Sequence, residues 1–283
     1  MRKLFCILLV FAMAFTTAAE CRKHHNAYVN KLERGVPFLL KNQLTSYVIT
    51  FRYTNPSPSQ SGRVQIAMPA PVNKTGFSRF DFVHVVINGI DSRWLEPKKF
   101  DIFNTPEAAG VDVLYNFNGV QMVLRFSVTD TSPLLNMSWS RAEVNSTRPI
   151  ESAYIHFTVL PSASGKAKGS YARELFTPRG LLKPKPKARM AKENLTKEDK
   201  WIIMQDEKYQ YSDKASYAAP VLICPDWSGV VSGIASFGVQ QDVALSFKLD
   251  AQASSWNFGM LDTEKRRSNA DFLAFIKELK IAD

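Results

Sequence analysis

Apolar and polar residues alternate through much of this chain with a period of two, the mark of strands whose successive side chains point to opposite faces. The pattern is cleanest between Val111 and Pro161. In Gln121 to Thr129, Met122, Leu124, Phe126 and Val128 fall on one face, while Gln121, Arg125, Ser127 and Thr129 fall on the other. Asn118-Gly119 separates this segment from Val111 to Phe117, and Asn-Gly supplies the positive φ angles that a two-residue hairpin turn requires. The pattern predicts a half-buried antiparallel sheet.

Further strands are predicted at Tyr47 to Tyr53, ended by Asn55-Pro56-Ser57-Pro58, at Arg63 to Met68, and at Phe80 to Ile87, which is apolar on both faces and stops at Asn88-Gly89. Asp91 to Gly110 is less regular. Leu134 to Val144 and Glu151 to Leu160 follow, and later Lys200 to Met204, Ala219 to Ile223, Gly233 to Val239, Asp242 to Leu249 and Ser254 to Leu261. Near the end, Ser268 and Asp271 can cap a helix in which Phe272, Phe275, Ile276 and Leu279 share one face. The expected fold is all-β, a large antiparallel β-sandwich with a C-terminal α-helix.

Residues 1–19 combine Arg2 and Lys3, an apolar run from Leu4 to Phe15 and small residues before Glu20, which reads as a cleaved secretory signal. The run is short for a membrane span, and no later segment replaces it, so no transmembrane segment is expected. A lipid anchor on Cys21 is disfavoured by Glu20 before it. The location implied is secreted or periplasmic. The division expected is 20–161 as sandwich strands, 162–200 as a basic Pro-rich loop or linker, and 201–283 as strands completing the sandwich plus the helix. Glu20 to Asn26 reads as a loose arm carrying Cys21, which can pair with Cys224 or remain a free thiol.

The formal net charge is +10, and a net +7 of it lies between Lys166 and Lys200. Such a strip, poor in aromatics, argues against nucleic acid as a partner and leaves contact with a polyanion open. Asn73, Asn136, Asn145 and Asn194 begin Asn-x-Ser/Thr sequons, which matter only in a eukaryotic host.

Catalytic motifs are sparse. His84 and His156 belong to no metal pattern, so no metal and no cofactor are expected. Trp227-Ser228-Gly229 lacks the first glycine of a nucleophile elbow. Asp81, Asp91, Asp112, Glu151, Asp226 and Asp242 can pair for glycoside hydrolysis only if the fold brings two together. His84 shares its strand face with Phe80, Phe82 and Val86 and reads as a packed histidine, whereas His156, beside Tyr154 and Thr158, can look into a polar groove. Sugar rings stack on exposed aromatics, which makes Arg93-Trp94 and Trp139 to Arg141 candidate carbohydrate readers, although large aromatics also fill β cores.

Tyr115-Asn116-Phe117-Asn118-Gly119, Arg125-Phe126-Ser127-Val128-Thr129, Leu134 to Ser140 and Pro149-Ile150-Glu151 resemble the central strands of galactose-mutarotase-like super-sandwich proteins over about a fifth of the chain. The resemblance implies a large antiparallel sandwich with a sugar-facing sheet. The family's catalytic histidine and acid have no matching positions here, so no catalytic residue is carried over.

The function expected is binding of a glycan or polysaccharide, non-catalytic or accessory, through a groove drawn from Arg125, Trp139, Tyr154 and His156. The alternatives are a carbohydrate-active enzyme, a hydrolase, lyase or epimerase whose acid and base converge only in the fold, and a structural envelope module with a flat interface.

Overall fold

The computed structural model describes residues 18–23, 34–54, 63–70, 82–142, 146–159, 173–185, 190–206, 220–223, 227–238, 243–262 and 269–279. Residues 1–17, Cys224, Ser268, His24, His25, Asn73, Asn145 and the start of the basic strip lie outside these.

The strands of the first half are β1 (Glu20–Lys23), β2 (Arg34–Lys41), β3 (Ser46–Thr54), β4 (Arg63–Ala70), β5 (Val83–Ile87), β6 (Ile90–Asp91), β7 (Lys99–Asn104), β8 (Ala108–Phe117) and β9 (Val120–Thr129). Those of the second half are β10 (Leu135–Arg141), β11 (Ala153–Val159), β12 (Arg173–Thr177), β13 (Gly180–Leu182), β14 (Met190–Leu195), β15 (Trp201–Asp206), β16 (Pro220–Ile223), β17 (Val230–Gly238), β18 (Val243–Leu249) and β19 (Ser255–Asp262). Helix α1 (Asn269–Glu278) closes the chain.

The all-β, antiparallel expectation with a C-terminal helix holds, but the strands are dealt into three sheets. Their orders are β1-β2-β3-β4, then β13-β12-β15-β16-β19-β10-β9-β8-β7, and β14-β17-β18-β11-β5-β6, with every neighbouring pair antiparallel. Asn118 and Gly119 take φ 50° and 96° and join β8 to β9 as a tight hairpin, and Asn88-Gly89 repeats the turn between β5 and β6 with φ 50° and 78°.

Alternation decides where the core lies. Met122, Leu124, Phe126 and Val128 are all buried on the inner face of the nine-stranded sheet. That face meets both smaller sheets through ring contacts. Phe51 of β3 lies 6.1 Å from Phe126, and Phe157 of β11 and Phe247 of β18 lie 5.2 and 5.3 Å from Phe258 of β19. Ring pairs at these separations add about 0.5–1.5 kcal/mol each beyond their area burial. One buried apolar cluster therefore runs through all three sheets.

Helix α1 covers part of the opposite face of the nine-stranded sheet. Phe272 and Ile276 are buried, Phe275 and Leu279 partly so, and they pack on Phe176, Trp201, Ile203 and Leu261. This explains why β15 is buried on both faces: Ile202 and Met204 turn inward, while Trp201 and Ile203 meet the helix.

Two expectations need correction. Glu20 to Lys23 form no loose arm: β1 pairs with β2, and Cys21 is a buried free thiol opposite Leu40. The Asn104 carboxamide clips this strand to the end of β7, accepting from Cys21 N at 2.7 Å and donating to Cys21 O at 3.2 Å. The segment 162–200 also carries β12, β13 and β14. Pro178 lies in the β12–β13 turn and Pro184 just beyond β13, so the prolines punctuate these strands rather than exclude them. Two cations of the strip are paired, Arg179 with Asp199 at 2.7 Å and Lys183 with Glu174 at 2.7 Å.

Candidate functional site

In β5, Val83, Val85 and Ile87 enter the core, as do Ala153, Ile155, Phe157 and Val159 of β11. Alternation then sends His84, Tyr154, His156 and Thr158 to the outer face of the six-stranded sheet. Ser246 and Lys248 of β18 reach the same face, because Leu245, Phe247 and Leu249 are buried. Antiparallel register aligns these positions across three strands: His156 lies opposite His84 on one side and Ser246 on the other, and Tyr154 lies between Val86 and Lys248.

The outcome is a stack of rings. The His84 and His156 imidazoles are 4.7 Å apart and 20° from parallel, and the Tyr154 ring continues the stack 6.4 Å from His156 at 15°. His156 Nδ1 and Ser246 Oγ share a hydrogen bond of 2.8 Å whose direction follows the imidazole tautomer. Beyond β5, Asp91 of β6 pairs with Val86 and so joins the same face diagonally from His84. Asp91 accepts from the Arg93 backbone N at 2.8 Å and from Arg93 Nε at 2.8 Å. Trp94, the next residue, is 54% exposed.

Burial lowers the pKa of His156, and the Arg93 charge lowers it further against the opposing pull of Asp91. The ring is therefore neutral at pH 7. Burial pushes the Asp91 carboxyl up, but hydrogen bonds from Arg93 and the neighbouring His84 and Arg93 charges outweigh it, leaving that carboxyl below its ordinary range. Asp91 is thus a fixed anion. The face offers stacked rings of which His84 is nearly covered while Tyr154 and His156 are half-exposed, flanked by a hydroxyl, an exposed amine at Lys248 and an Asp–Arg fork. Apolar ring faces beside planar hydrogen-bonding groups are what a pyranose can use.

The residues expected to form one groove do not converge. Tyr154 and His156 share this face. Arg125 lies on the outer face of the nine-stranded sheet, forked onto Asp112 at 2.6 and 2.7 Å, with its guanidinium 4.6 Å above the Phe103 ring. Trp139 is on the inner face of that sheet and fully buried, so its ring cannot serve as an exposed stacking platform. His84 is buried, as read, but against His156. Sequence reasoning missed Arg93, Ser246 and Lys248 as companions of His156, and Asp91 was only one acid among six. Strand register alone unites them, and a single sequence does not print register. Among the described residues, no group of three or more His, Cys, Asp and Glu is placed to hold a metal.

The fold and this face define an all-β antiparallel protein with a polar, aromatic-bearing sheet surface. No protein-family model matches the sequence, and no curated protein matches it. Solved structures similar to the chain include the galactosidase domain of an alpha-galactosidase-sucrose kinase, at 10% identity and TM-score 0.49, covering 86% of this chain and 42% of that one. A TPR-domain containing protein from Parabacteroides distasonis is similar at 12% identity and TM-score 0.49, over 83% of this chain and 48% of that one. A galactose mutarotase related enzyme from Lactobacillus acidophilus is similar at 11% identity and TM-score 0.42, over 82% of this chain and all of that one. The chain thus spans less than half the length of the first two.

Proposed function

We propose that this protein is an exported β-sandwich that binds carbohydrate without transforming it, through the outer face of the six-stranded sheet. The carrying observation is the Tyr154–His156–His84 stack, bordered by Ser246, Lys248 and the Asp91–Arg93 fork. The neutral, half-exposed imidazole of His156 and the fixed anion Asp91 are prepared as hydrogen-bonding partners, and the rings of Tyr154 and His156 supply stacking surface. Export rests on the residue 1–19 pattern, and secretion or the periplasm is the location this implies. Among the described residues, no helix is long and apolar enough to cross a membrane. Exposed Lys185, Lys192 and Lys197 in the basic strip support an additional, geometry-free attraction to polyanions.

A catalytic version of this reading is favoured by one observation: the Asp91 carboxylate and the neutral imidazole of His156 lie on one face within electrostatic reach of each other. Calorimetric titration of the mature protein with a panel of neutral and acidic oligosaccharides tests both. Binding that Tyr154→Ala and His156→Ala each weaken by about tenfold, the loss of roughly 1.4 kcal/mol of contact, with unchanged sugar recovered afterwards, supports the binding protein. Recovery of cleaved or epimerised sugar moves the assignment to the enzyme. No heat with any sugar, or equal affinity in both variants, overturns the face as a glycan site.

A further inference from the structure

Among the described residues, four buried N–H donors at one end of the interior have no acceptor: the indole Nε1 atoms of Trp139, Trp227 and Trp256, and Nε of Arg141. They are neighbours by construction. Trp139 and Trp256 are register partners in β10 and β19. Arg141 lies two residues beyond Trp139 and therefore on the same side, with its backbone N donating to Ser254 O at 3.2 Å. The turn from Trp227 to Val230 closes over them, since Gly229 sits so tightly that a Cβ there would lie 2.8 Å from Trp256 Cδ1 and 3.4 Å from its Nε1. Tyr115, 5.9 Å from Trp139, and Phe247, 5.8 Å from Trp227, supply further apolar wall.

Native interiors satisfy nearly all buried polar atoms, and each orphan donor costs about 1–3 kcal/mol. Four at one place, all donors, with a guanidinium among them, form a pattern with a sign. Among the described residues, the Arg141 side chain donates from Nη2 to the Arg148 carbonyl at 3.0 Å and meets no carboxylate. Arg141 and Trp227 are half-buried and give the cluster its outward-facing edge, whereas Trp139 and Trp256 form its floor.

We propose that this cluster is a binding site for a small oxyanion, carboxylate or sulfate, held by indole N–H groups and the Arg141 guanidinium between aromatic walls. It lies on the inner side of the nine-stranded sheet and is separate from the His156 face. It stands whether or not that face binds sugar.

Indole N–H proton resonances test it. The chain has five tryptophans, assigned by single Trp→Phe variants of the full mature protein, and the probes are acetate, sulfate, glucuronate and glucose. Saturable shifts of the Trp139, Trp227 and Trp256 signals with acetate or sulfate, leaving Trp94 and Trp201 unmoved, are expected. If only glucuronate produces them, the ligand is a carboxylated sugar rather than a free anion. Arg141→Gln weakens the binding about tenfold or more, the loss of one charge-assisted hydrogen bond. Trp227→Phe, which keeps a ring but removes one donor from the half-buried rim, weakens it several-fold and guards against a folding defect in the arginine variant. Absence of saturable shifts with all three anions overturns the proposal, as do equal shifts with glucose or unchanged affinity in both variants.

Discussion

Replacing Asp199 by asparagine isolates one buried ion pair. The Asp199 side chain is 0% exposed and its partner Arg179 28%. Arg179 donates to both carboxylate oxygens, Nε at 2.9 Å and Nη2 at 2.7 Å, while Thr196 N donates at 2.8 Å. Arg179 Nη2 also reaches Asn194 O at 3.0 Å, tying the turn after β12 to the end of β14. The hydrogen bond to Asp199 raises the arginine pKa, against a smaller opposing effect of its own burial. Asparagine keeps the shape but turns an NH₂ group toward one arm of the fork, so a charge-assisted bond worth about 1.5–3 kcal/mol becomes a donor facing a donor. Removing one partner of a fully buried pair costs about 3–5 kcal/mol. The partly solvated guanidinium recovers some of that through water, and we expect a loss of about 2–3 kcal/mol. Urea denaturation of the two proteins reads this as a lower midpoint at constant slope, and thermal unfolding as a fall of about 5–10 °C. In an Arg179→Met background the asparagine substitution should cost clearly less. A loss below about 0.5 kcal/mol, or equal losses in both backgrounds, refutes the latch.

Gly110→Ala should destabilise by about 1–3 kcal/mol or more in the same assay, because a Cβ there would fall 2.2 Å from Phe126 O and 2.7 Å from Phe103 Cζ; unchanged stability would show that β8 draws away from both β9 and the Phe103 ring at no cost. His156, with its pKa below the ordinary 6.5, binds a proton more readily unfolded than folded. Its contribution is fully present above pH 6.5 and fades as the pH drops through the folded value, so the stability gap between wild type and His156→Asn should shrink from pH 7.5 to pH 5. A gap that grows on acidification contradicts the burial argument. Cys21, pushed up to about 12 by burial and the adjacent Glu20 charge, should resist thiol reagents at pH 8 until the protein unfolds, as peptide mapping by mass spectrometry would show; rapid native labelling would place β1 outside the sheet.

Period-two alternation was legible wherever one face is wet. β8, β9, β10, β11 and β18 were expected within one to three residues of their observed ends, and the Asn118-Gly119 hairpin and the apolar face of α1 follow from turn chemistry and helical spacing. Two edge strands, β7 and β14, were not legible. Met190 to Leu195 pairs on one side only and carries Lys192 and Glu193 on opposite faces, and Lys99 to Asn104 pairs on one side only and breaks its short alternation at the adjacent Ile102-Phe103. β2 was passed over as well, because Val36-Pro37-Phe38-Leu39-Leu40 is a continuous apolar run broken by a proline rather than an alternating one. For the site, Tyr154 and His156 could be chosen because they share a face within one strand. His84, Ser246 and Asp91 join them through pairings between segments distant in sequence, and Trp139 was misjudged because alternation does not say which face of its sheet turns inward.

The most direct measurement records the histidine Cε1–H proton signals of the protein during titration with an oligosaccharide that binds. The account expects the His84 and His156 signals to move together and saturate. Saturable sugar binding that leaves His84 and His156 untouched would contradict the assignment of the six-stranded sheet's outer face as the contact surface.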